Sequence, residues 1–424
     1  MGAVGDSAHR DGRLKWLVLA LAAIAISGNY YAFDALAPVA DMLRTQRGLS
    51  QSQIGLLNAM IGLPNIPLSL VGGLLIDRFG ASRAAVLFAG FCFVGAVLTA
   101  IGEPFGLMVF GRLLFGIGQE TLLIALLAGI AIWFHAARAA LAMSLLFSLA
   151  RVGSYMADIS PNWAPGVYAG GWQPPLALAA GLTGISLIGA LAYWALDVRR
   201  GPPVAGGTHS WSGMFAFGGF DRSFWYILIL NVLFASVFFP FRSTFAIVYF
   251  QDAKGLTLAA AGLVNSWVFF TAIFATPIFG MIADRFGRRA MLLTIGAGLM
   301  PLTFLTLGAT HWSLWISTAM MGLAFSVVPA VIWPATAMLV APKRLGTAYG
   351  IINVLQSLGL AVCNLAAGWL NDVYQAGPAH PAGYTPMLWM FGVLATVSFA
   401  ATAALWARES GPHGHGLNKA IAVE

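Results

Sequence analysis

The chain has 424 residues, of which 59% are hydrophobic and 9% are charged, and its mean hydropathy is +0.82. This composition excludes a soluble globular domain and indicates a polytopic membrane protein. The formal net charge of +7 does not indicate a nucleic-acid partner, because 16 of the 22 Lys and Arg residues fall in segments that the topology below places in the cytoplasm. The two cysteines lie in apolar segments and indicate no disulfide framework.

Apolar stretches long enough to cross about 30 Å of hydrocarbon recur along the whole chain. They predict an all-α polytopic membrane protein with twelve transmembrane helices in two pseudo-symmetric six-helix bundles. The positive-inside bias places both termini in the cytoplasm, and the favoured location is a bacterial inner membrane. The predicted spans are 14–43, 52–76, 83–101, 105–134, 138–162, 174–197, 223–251, 257–283, 289–308, 312–341, 345–371 and 383–407.

The longest internal connection predicts the boundary between the two halves. It contains Arg199 and Arg200, two prolines and several glycines, and it is too short for a further domain. At the end of the chain, we expect His413-Gly-His415 to be disordered rather than to bind a metal. The predicted organisation is a disordered N-terminal tail at 1–13, an N-terminal bundle at 14–197, a cytoplasmic linker at 198–222, a C-terminal bundle at 223–408 and a cytoplasmic tail at 409–424.

The first span contains the run Tyr30-Tyr-Ala-Phe33-Asp34, in which Tyr30 is a candidate for substrate binding. An ionisable group inside a membrane is costly, so Asp34 is expected to have a partner or a function. The seventh span has Arg242 at the equivalent position, 208 residues later (242 − 34). Opposite charges at equivalent positions predict that Asp34 and Arg242 form an external gate.

A basic turn follows the second span and recurs after the eighth. The first copy is Gly73-Leu-Leu-Ile-Asp77-Arg78-Phe79-Gly80-Ala-Ser-Arg83, and the second is Gly280-Met-Ile-Ala-Asp284-Arg285-Phe286-Gly287-Arg-Arg289. The constant offset of 207 residues (284 − 77) predicts a duplicated membrane unit. The candidate gating residues of these turns are Asp77, Arg78, Arg83, Asp284 and Arg285.

The fourth and fifth spans carry two pairs of opposite charges at matched distances from their connecting turn near Ala136. Glu120 lies 16 residues before this turn and Arg151 lies 15 after it, so a helical hairpin places them at one depth near the membrane centre. Arg112 lies 24 before and Asp158 lies 22 after, which predicts a second ion pair that locks the two helices. The central pair can bind the amino and carboxylate ends of a zwitterion, because the guanidinium of Arg holds a carboxylate through two donors.

The G-x-L-x-D-R-x-G-x-x-R pattern of the repeated turn resembles the signature loop of the major facilitator superfamily. Further runs resemble the lysosomal dipeptide-carrier branch of that superfamily, the major-facilitator-domain-containing proteins. This resemblance implies that Glu120 and Arg151 hold the two ends of a peptide, with Asn265 and Trp333 as further candidates for substrate binding. Gln119 and Arg242 depart from the family pattern, which favours a glycine and an apolar residue there. The matching runs include 110–120, 150–154, 239–241, 264–266, 333–334 and 345–350.

Three functions remain open on this basis. The first is a secondary transporter that moves a small zwitterionic solute, a dipeptide or an amino acid, by rocker-switch alternating access. The second is a carrier or exporter of an organic anion or a metal chelate, bound by Arg112, Arg151 and Arg242. The third is a non-transporting sensor or assembly protein on the same scaffold.

An enzyme is not indicated, because the sequence shows no nucleophile–base pair, phosphate-binding loop or cluster of metal ligands. The expected partners are a small-molecule substrate and the lipid bilayer. Asp34 and Glu120 are the carboxyl groups that could carry a coupling proton. The sequence indicates no cofactor and, in the absence of an N-x-S/T sequon, no glycosylated accessory subunit.

Overall fold

The structure is a computed structural model and describes residues 2–134, 136–198, 220–309, 313–341, 344–412 and 414–418. In these ranges the chain forms helices joined by turns. The helices of the first half are α1 (Gly2–Asp34), α2 (Ala40–Arg47), α3 (Gln51–Gly62), α4 (Asn65–Phe79), α5 (Ala81–Ile101), α6 (Phe105–Trp133), α7 (Ala136–Asp158), α8 (Ser160–Trp163), α9 (Pro165–Ala169) and α10 (Gln173–Val198). Those of the second half are α11 (Arg222–Pro240), α12 (Ala246–Lys254), α13 (Leu258–Phe286), α14 (Arg289–Ala309), α15 (Leu314–Leu339), α16 (Leu345–Val373) and α17 (Thr385–Glu409).

The first predicted span is interrupted near its end. Helix α1 begins at Gly2, and so it includes residues that the sequence assigned to a disordered tail. It ends at Asp34, and a 3₁₀ turn at Ala37–Val39 leads into α2. Pro38 lies in this turn and has no amide hydrogen to donate, which accounts for the interruption.

Ten helical stretches in the described ranges are long and apolar enough to cross a membrane. They coincide with ten of the twelve predicted spans. The other two, 52–76 and 138–162, correspond to α3 with α4 and to α7. Pro64 lies between α3 and α4, where a residue without an amide hydrogen breaks the run of helical bonds. The described helices therefore make the protein a multi-pass membrane protein.

The described contacts divide the chain into two compact units, called unit 1 and unit 2 below. Two short stretches of the first half belong to unit 2. The predicted linker lies largely outside the described residues, so the predicted domain boundaries stay a prediction. Unit 1 comprises Met1–Ala35, Pro67–Ala157 and Val167–His209, and unit 2 comprises Leu36–Ile66, Asp158–Gly166 and Ser210–Glu424.

In unit 1, helices α5 and α6 pack closely where glycines replace larger side chains. A Cβ atom on Gly95 would lie 2.5 Å from the amide nitrogen of Phe115, and one on Gly111 would lie 2.7 Å from the carbonyl oxygen of Gly95. Small residues allow this approach of two backbones, which is a common packing mode in membranes. The close packing fixes the position of α6, which carries Arg112 and Glu120.

The two copies of the basic turn have equivalent places in the fold, between α4 and α5 and between α13 and α14. Gly80 in the first copy has φ 82°, and Gly287 in the second has φ 65°. Glycine adopts such positive φ values without steric cost, which explains its presence in both turns. The second copy contains one more left-handed residue, Arg288, with φ 48°.

Residues 414–418 near the end of the chain contact the protein, which corrects the expectation of a disordered tail for these residues. The backbone amide of His415 donates a hydrogen bond to Glu409, and Leu417 has no exposed area. The expectation rested on polar, glycine-rich composition, which indicates disorder only where the segment finds nothing to bind. His413 lies outside the described residues.

Candidate functional site

Glu120, Arg151 and Tyr30 lie together in unit 1 and form the centre of the candidate site. Glu120 and Arg151 interact electrostatically, and the hydroxyl of Tyr30 interacts with both. All three side chains are partly buried. The site therefore presents one carboxylate, one guanidinium and one hydroxyl group where charges are screened far less than in water. A zwitterion offers the complementary pair of charges.

The contact between α1 and α7 brings Tyr30 and Arg151 to the same level. The hydroxyl of Ser27 donates a hydrogen bond to the carbonyl oxygen of Leu149 at 2.9 Å. One turn further along α7, a Cβ atom on Gly153 would overlap the backbone of Ser27. Tyr30 lies three residues after Ser27, and Arg151 lies two residues after Leu149. Packing of the two helices thus fixes both functional side chains.

Arg112 contacts the end of α1 within unit 1. Its guanidinium donates to the carbonyl oxygens of Ala32 and Phe33, each at 3.2 Å, and interacts electrostatically with Asp34. These carbonyls belong to the last turn of α1, where helical partners are missing. Both charged residues are buried. The predicted partner of Arg112, Asp158, belongs to unit 2, so that ion pair stays a prediction.

A second buried charge cluster lies in unit 2 and consists of Asp158, Arg242 and Asn265. One carboxylate oxygen of Asp158 accepts a hydrogen bond from the guanidinium of Arg242, and the other accepts from Asn265 Nδ2 at 3.1 Å. Asn265 Nδ2 also donates to the carbonyl oxygen of Arg242 at 3.2 Å. The side chains of Asp158 and Arg242 have no exposed area.

The amide hydrogens of Asn265 are thus engaged within this cluster, and its role as a substrate ligand stays a prediction. The predicted gate between Asp34 and Arg242 joins residues of different units and also stays a prediction.

The backbone at Arg242 forms a π-helical turn, Phe241–Phe245. Such a turn contains an extra residue, which redirects the side chains around it, and it often marks a functional site. The guanidinium carbon of Arg242 lies 3.8 Å from the centre of the Phe269 ring, in a cation–π contact. On the same helix, α13, a Cβ atom on Gly262 would overlap the carbonyl oxygen of Asp158, the last residue of α7. The cluster is therefore enclosed by close packing.

The start of α3 is held by α16 within unit 2, through a contact that we call the α3 clasp. Asp372 accepts hydrogen bonds from the backbone amides of Gln51 and Ser52, both at 2.8 Å. These amides have no partner inside their own helix, and a carboxylate is favourable at the positive end of a helix. A Cβ atom on Gly368 would lie 2.5 Å from the carbonyl oxygen of Gln51. Sequence reasoning missed Asp372, because a capping group 320 residues away leaves no local pattern.

A polar network beside the α3 clasp joins α2, α12 and the start of α17. Arg44 pairs with Asp252 at 2.7 Å, and the hydroxyl of Tyr384 donates to the same carboxylate at 2.6 Å. The side-chain amide of Gln51 donates to the Tyr384 hydroxyl at 3.0 Å. Arg44 lies directly after the first predicted span, 14–43, and nothing in the local sequence indicates its partner.

Replacing Asp372 by Asn is expected to loosen the α3 clasp, because a neutral amide offers one acceptor and no charge to two helix amides. The loss is about 1–2 kcal/mol, since a charge at a partly buried helix terminus contributes up to that amount. The reporter is the substitution Asn58→Cys, on α3, in a background without other cysteines. With Asp372→Asn added, this cysteine should react with a thiol reagent about 5- to 30-fold faster than without it. The measurement is the labelling rate in detergent at a fixed reagent concentration.

Asp41→Asn is the matched control for this experiment. Asp41 lies 3.6 Å from Arg44 in a partly exposed ion pair, and such pairs contribute little. We expect the labelling rate of the control to equal that of the unmodified background. An Asp372→Asn variant that labels no faster than the control would contradict the α3 clasp.

Trp333 packs against Tyr349 in unit 2. The two rings are 5.3 Å apart, and the Tyr349 hydroxyl donates to the carbonyl oxygen of Trp333 at 3.1 Å. Other apolar side chains of α11, α15 and α16 surround this pair. The substrate-binding role of Trp333 stays a prediction.

Three of the charged residues in the repeated turns, Arg78, Arg83 and Arg285, have exposed side chains. The guanidinium carbons of Arg78 and Arg285 lie 6.0 Å and 5.6 Å from the phenylalanine ring that follows each of them. The side chains of Asp77 and Asp284 lie outside the described residues. The gating roles of all five stay predictions.

The fold agrees with comparisons to known proteins. The family model of the Major Facilitator Superfamily matches residues 22–259 and 227–422. The lysosomal dipeptide transporter MFSD1 of Danio rerio is 32% identical over 82% of this chain and 78% of its own length, and that of Homo sapiens is 30% identical over 84% and 80%. Among solved structures, a point mutant of the nucleoside transporter NupG has a TM-score of 0.73 at 13% identity, over 92% of this chain and 99% of its own.

The predicted membrane fold, the absence of enzymatic activity and the transport of a small solute are thereby confirmed. The chain belongs to the Major Facilitator Superfamily, in the branch that contains the MFSD1 proteins, and it is a secondary transporter of small solutes.

Proposed function

We propose that this transporter carries dipeptides or amino acids, with Glu120 at the amino end of the substrate and Arg151 at its carboxylate. The observation that supports this proposal is that Glu120 and Arg151, both in unit 1, lie near enough to interact electrostatically with each other and with Tyr30. Arg binds a carboxylate through two parallel hydrogen bonds, and a carboxylate binds an ammonium group by charge. The MFSD1 relatives are named as dipeptide transporters, which supports the same substrate class.

The transport cycle in this proposal is an alternation between two states of the two six-helix halves. The buried cluster of Asp158 and Arg242 and the α3 clasp stabilise one of these states, and the basic turns act as gates. A contact made in only one state shifts the equilibrium by its own free energy. The polar contacts must therefore break and re-form in each cycle.

The proposed location is a bacterial inner membrane with both termini in the cytoplasm. The support is the excess of Lys and Arg in one set of loops, 16 of 22 residues. A reporter protein fused to the C-terminus should be detected on the cytoplasmic side of the membrane. Detection of its activity on the opposite side would refute this orientation.

Counterflow into proteoliposomes tests the substrate. We expect exchange of labelled substrate with free dipeptides and amino acids, and little with dipeptides that are acetylated at the amino end or amidated at the carboxyl end. Loss of one charge-assisted hydrogen bond weakens binding by about 1.5–3 kcal/mol, which is about a 10- to 100-fold loss of affinity. The blocked dipeptides are the matched controls, because they change one charge each at nearly constant size.

Transport of organic anions together with rejection of free dipeptides would overturn this proposal in favour of an anion carrier. The same vesicles, measured with and without a pH gradient, test proton coupling. Accumulation above the outside concentration only when a gradient is present would show that a proton drives uptake.

A further inference from the structure

Beyond Ser410 the chain folds back on the protein, and we call the described residues 411, 412 and 414–418 the C-terminal hook. Residue 413 lies outside the described ranges. All the contacts of the hook given below lie within unit 2.

His415 anchors the C-terminal hook on Glu409, the last residue of α17. The amide of His415 donates to Glu409 Oε2 at 2.7 Å, and its ring Nδ1 lies 3.0 Å from Glu409 Oε1. The Ser223 hydroxyl donates to Glu409 Oε1 at 2.8 Å and so ties the anchor to the start of α11. A Cβ atom on Gly414 would lie 2.5 Å from the carbonyl oxygen of Glu409, which requires a glycine there.

An ion pair beside the anchor ties α17 to α11 a second time. The guanidinium of Arg408 donates to both carboxylate oxygens of Asp221, at 2.8 Å and 3.1 Å. Desolvation acts to raise the pKa of Asp221, but the amide of Ser223 and the charge of Arg408 outweigh it, and the pKa lies below its ordinary value of 3.8. His415 Nε2 lies 3.7 Å from the same carboxylate. His415 therefore contacts the end of α17 and the start of α11, which the ion pair of Arg408 and Asp221 already joins.

The tip of the C-terminal hook caps the start of α14. The carbonyl oxygen of Leu417 accepts from the amide of Arg289 at 3.0 Å, and that of Asn418 accepts from the amide of Arg288 at 3.4 Å. First-turn amides of a helix have no partner inside the helix, so these carbonyls replace a capping side chain. Leu417 is fully buried, and Gly416 before it has φ 91°, a value that favours glycine.

The helix that follows the first basic turn, α5, begins differently from α14, which follows the second. Helix α5 begins at Ala81, directly after Gly80, whereas α14 begins one position later than the 207-residue offset predicts. The residue of the second copy that matches Ala81 is Arg288 (288 − 207), and it is left-handed with φ 48°. A left-handed conformation is unfavourable for a residue with a side chain, and it persists only where the surroundings hold it. The carbonyl oxygen of Asn418, in the C-terminal hook, accepts the hydrogen bond from the amide of this left-handed residue.

We propose that the C-terminal hook holds Arg288 in its left-handed conformation and thereby positions the second basic turn for the conformational cycle. His415 and the backbone carbonyl groups of Leu417 and Asn418 act through the turn, and so their role is positioning. This inference rests on the proposed gating role of the basic turns. Without the hook, the turn relaxes, α14 loses its cap, and the alternation between states slows while the substrate site is untouched.

The test compares two truncations of the full-length transporter in proteoliposomes. The first ends at Ser410 and removes the C-terminal hook. The second ends at Lys419, so that Asn418 keeps its peptide carbonyl and every contact described above stays in place, and it is the matched control. We expect hydrogen exchange at the amides of Arg288 and Arg289 to become about tenfold faster in the first truncation and to stay unchanged in the second.

Transport separates a positioning role from a merely structural one. With a solute that the wild type carries, the truncation at Ser410 should lower the maximal rate about fivefold and leave KM within about twofold. Arg288→Gly should restore at least half of the lost rate, because glycine adopts the left-handed conformation without support. The same substitution in the full-length chain should leave the rate nearly unchanged.

A pair of point variants makes the same distinction without truncation. His415→Ala removes the ring that anchors the C-terminal hook and should reproduce the slow maximal rate. Asn418→Ala removes only the exposed side-chain bond to Ser410 and keeps the backbone carbonyl, so it should behave as wild type.

Three results would overturn the inference: unchanged exchange after truncation at Ser410, a loss confined to KM, or no rescue by Arg288→Gly. A wild-type protein that carries no solute of the panel would refute the proposed function instead. In that case hydrogen exchange alone tests the role of the C-terminal hook. Equal exchange rates at the amides of Arg288 and Arg289 in the two truncations would reject that role.

Discussion

Glu120→Gln and Arg151→Lys are each expected to lower transport by about 10- to 100-fold, because each removes a hydrogen bond between opposite charges worth about 1.5–3 kcal/mol. Gln keeps the shape of Glu but cannot attract an ammonium group. Lys keeps the charge of Arg but loses the planar fork that holds a carboxylate at two points. The measurement is initial counterflow of a dipeptide, normalised to the amount of folded protein in the vesicles.

Glu103→Gln is the matched control, since it makes the same chemical change at an exposed position just before α6. It should transport like the wild type. Wild-type rates in both Glu120→Gln and Arg151→Lys would show that the pair only joins α6 to α7, and the zwitterion site would be rejected. A single variant can also lose folded protein because it leaves one charge unpaired. The double variant Glu120→Gln with Arg151→Gln leaves no unpaired charge, and so it serves as the control for folding.

Arg242→Ala is expected to destabilise the protein by about 3–5 kcal/mol, because it leaves a buried carboxylate without its charged partner. Arg242 and Asp158 both have side chains with no exposed area, so water cannot replace the lost contact. The measurement is the free energy of unfolding in detergent. Arg83→Ala, a change at an exposed arginine, should stay within about 0.5 kcal/mol of the wild type.

Two reciprocal charge swaps identify the partner of Arg242. The swap Asp158→Arg with Arg242→Asp should recover part of the lost stability, because it keeps opposite charges at the observed contact. The swap Asp34→Arg with Arg242→Asp should recover less if Asp158 is the main partner, and more if the predicted gate dominates. A neutral pair, Asp158→Asn with Arg242→Met, should be close to wild type in stability. If Arg242→Ala alone is close to wild type, the buried ion pair contributes nothing to stability.

The fold could be predicted from the sequence because the membrane imposes strong constraints on composition. Helices that cross hydrocarbon must be long and apolar, so hydropathy alone located the spans. The copies of the basic turn at a constant offset revealed the duplication, and the structure places both copies at equivalent helix junctions. Counting residues also predicted that Glu120 and Arg151 lie at one depth, since two helices joined by a short turn are antiparallel, and the two residues do influence each other electrostatically.

The partners of the other buried charges depended on the tertiary structure. Counting residues places Asp34, Arg112, Asp158 and Arg242 toward one side of the membrane, but depth does not say which helices are neighbours. The described contacts join Arg112 to the end of α1 and Asp158 to Arg242, and helix packing decided both. Glycines such as Gly262 and the π-helical turn set that packing, and neither has a periodic signal in the sequence.

The sequence by itself determined the membrane nature of this protein and its duplicated halves, because each of these follows from hydropathy or from spacing along one chain. The tertiary structure alone decided the cap of α3 by Asp372 and the cap of α14 by the C-terminal hook. A helix end needs some acceptor for its free amides, but any segment of the chain can supply it. Which segment does so depends on what the fold brings near, over 320 residues in one case and over about 130 residues (418 − 288) in the other.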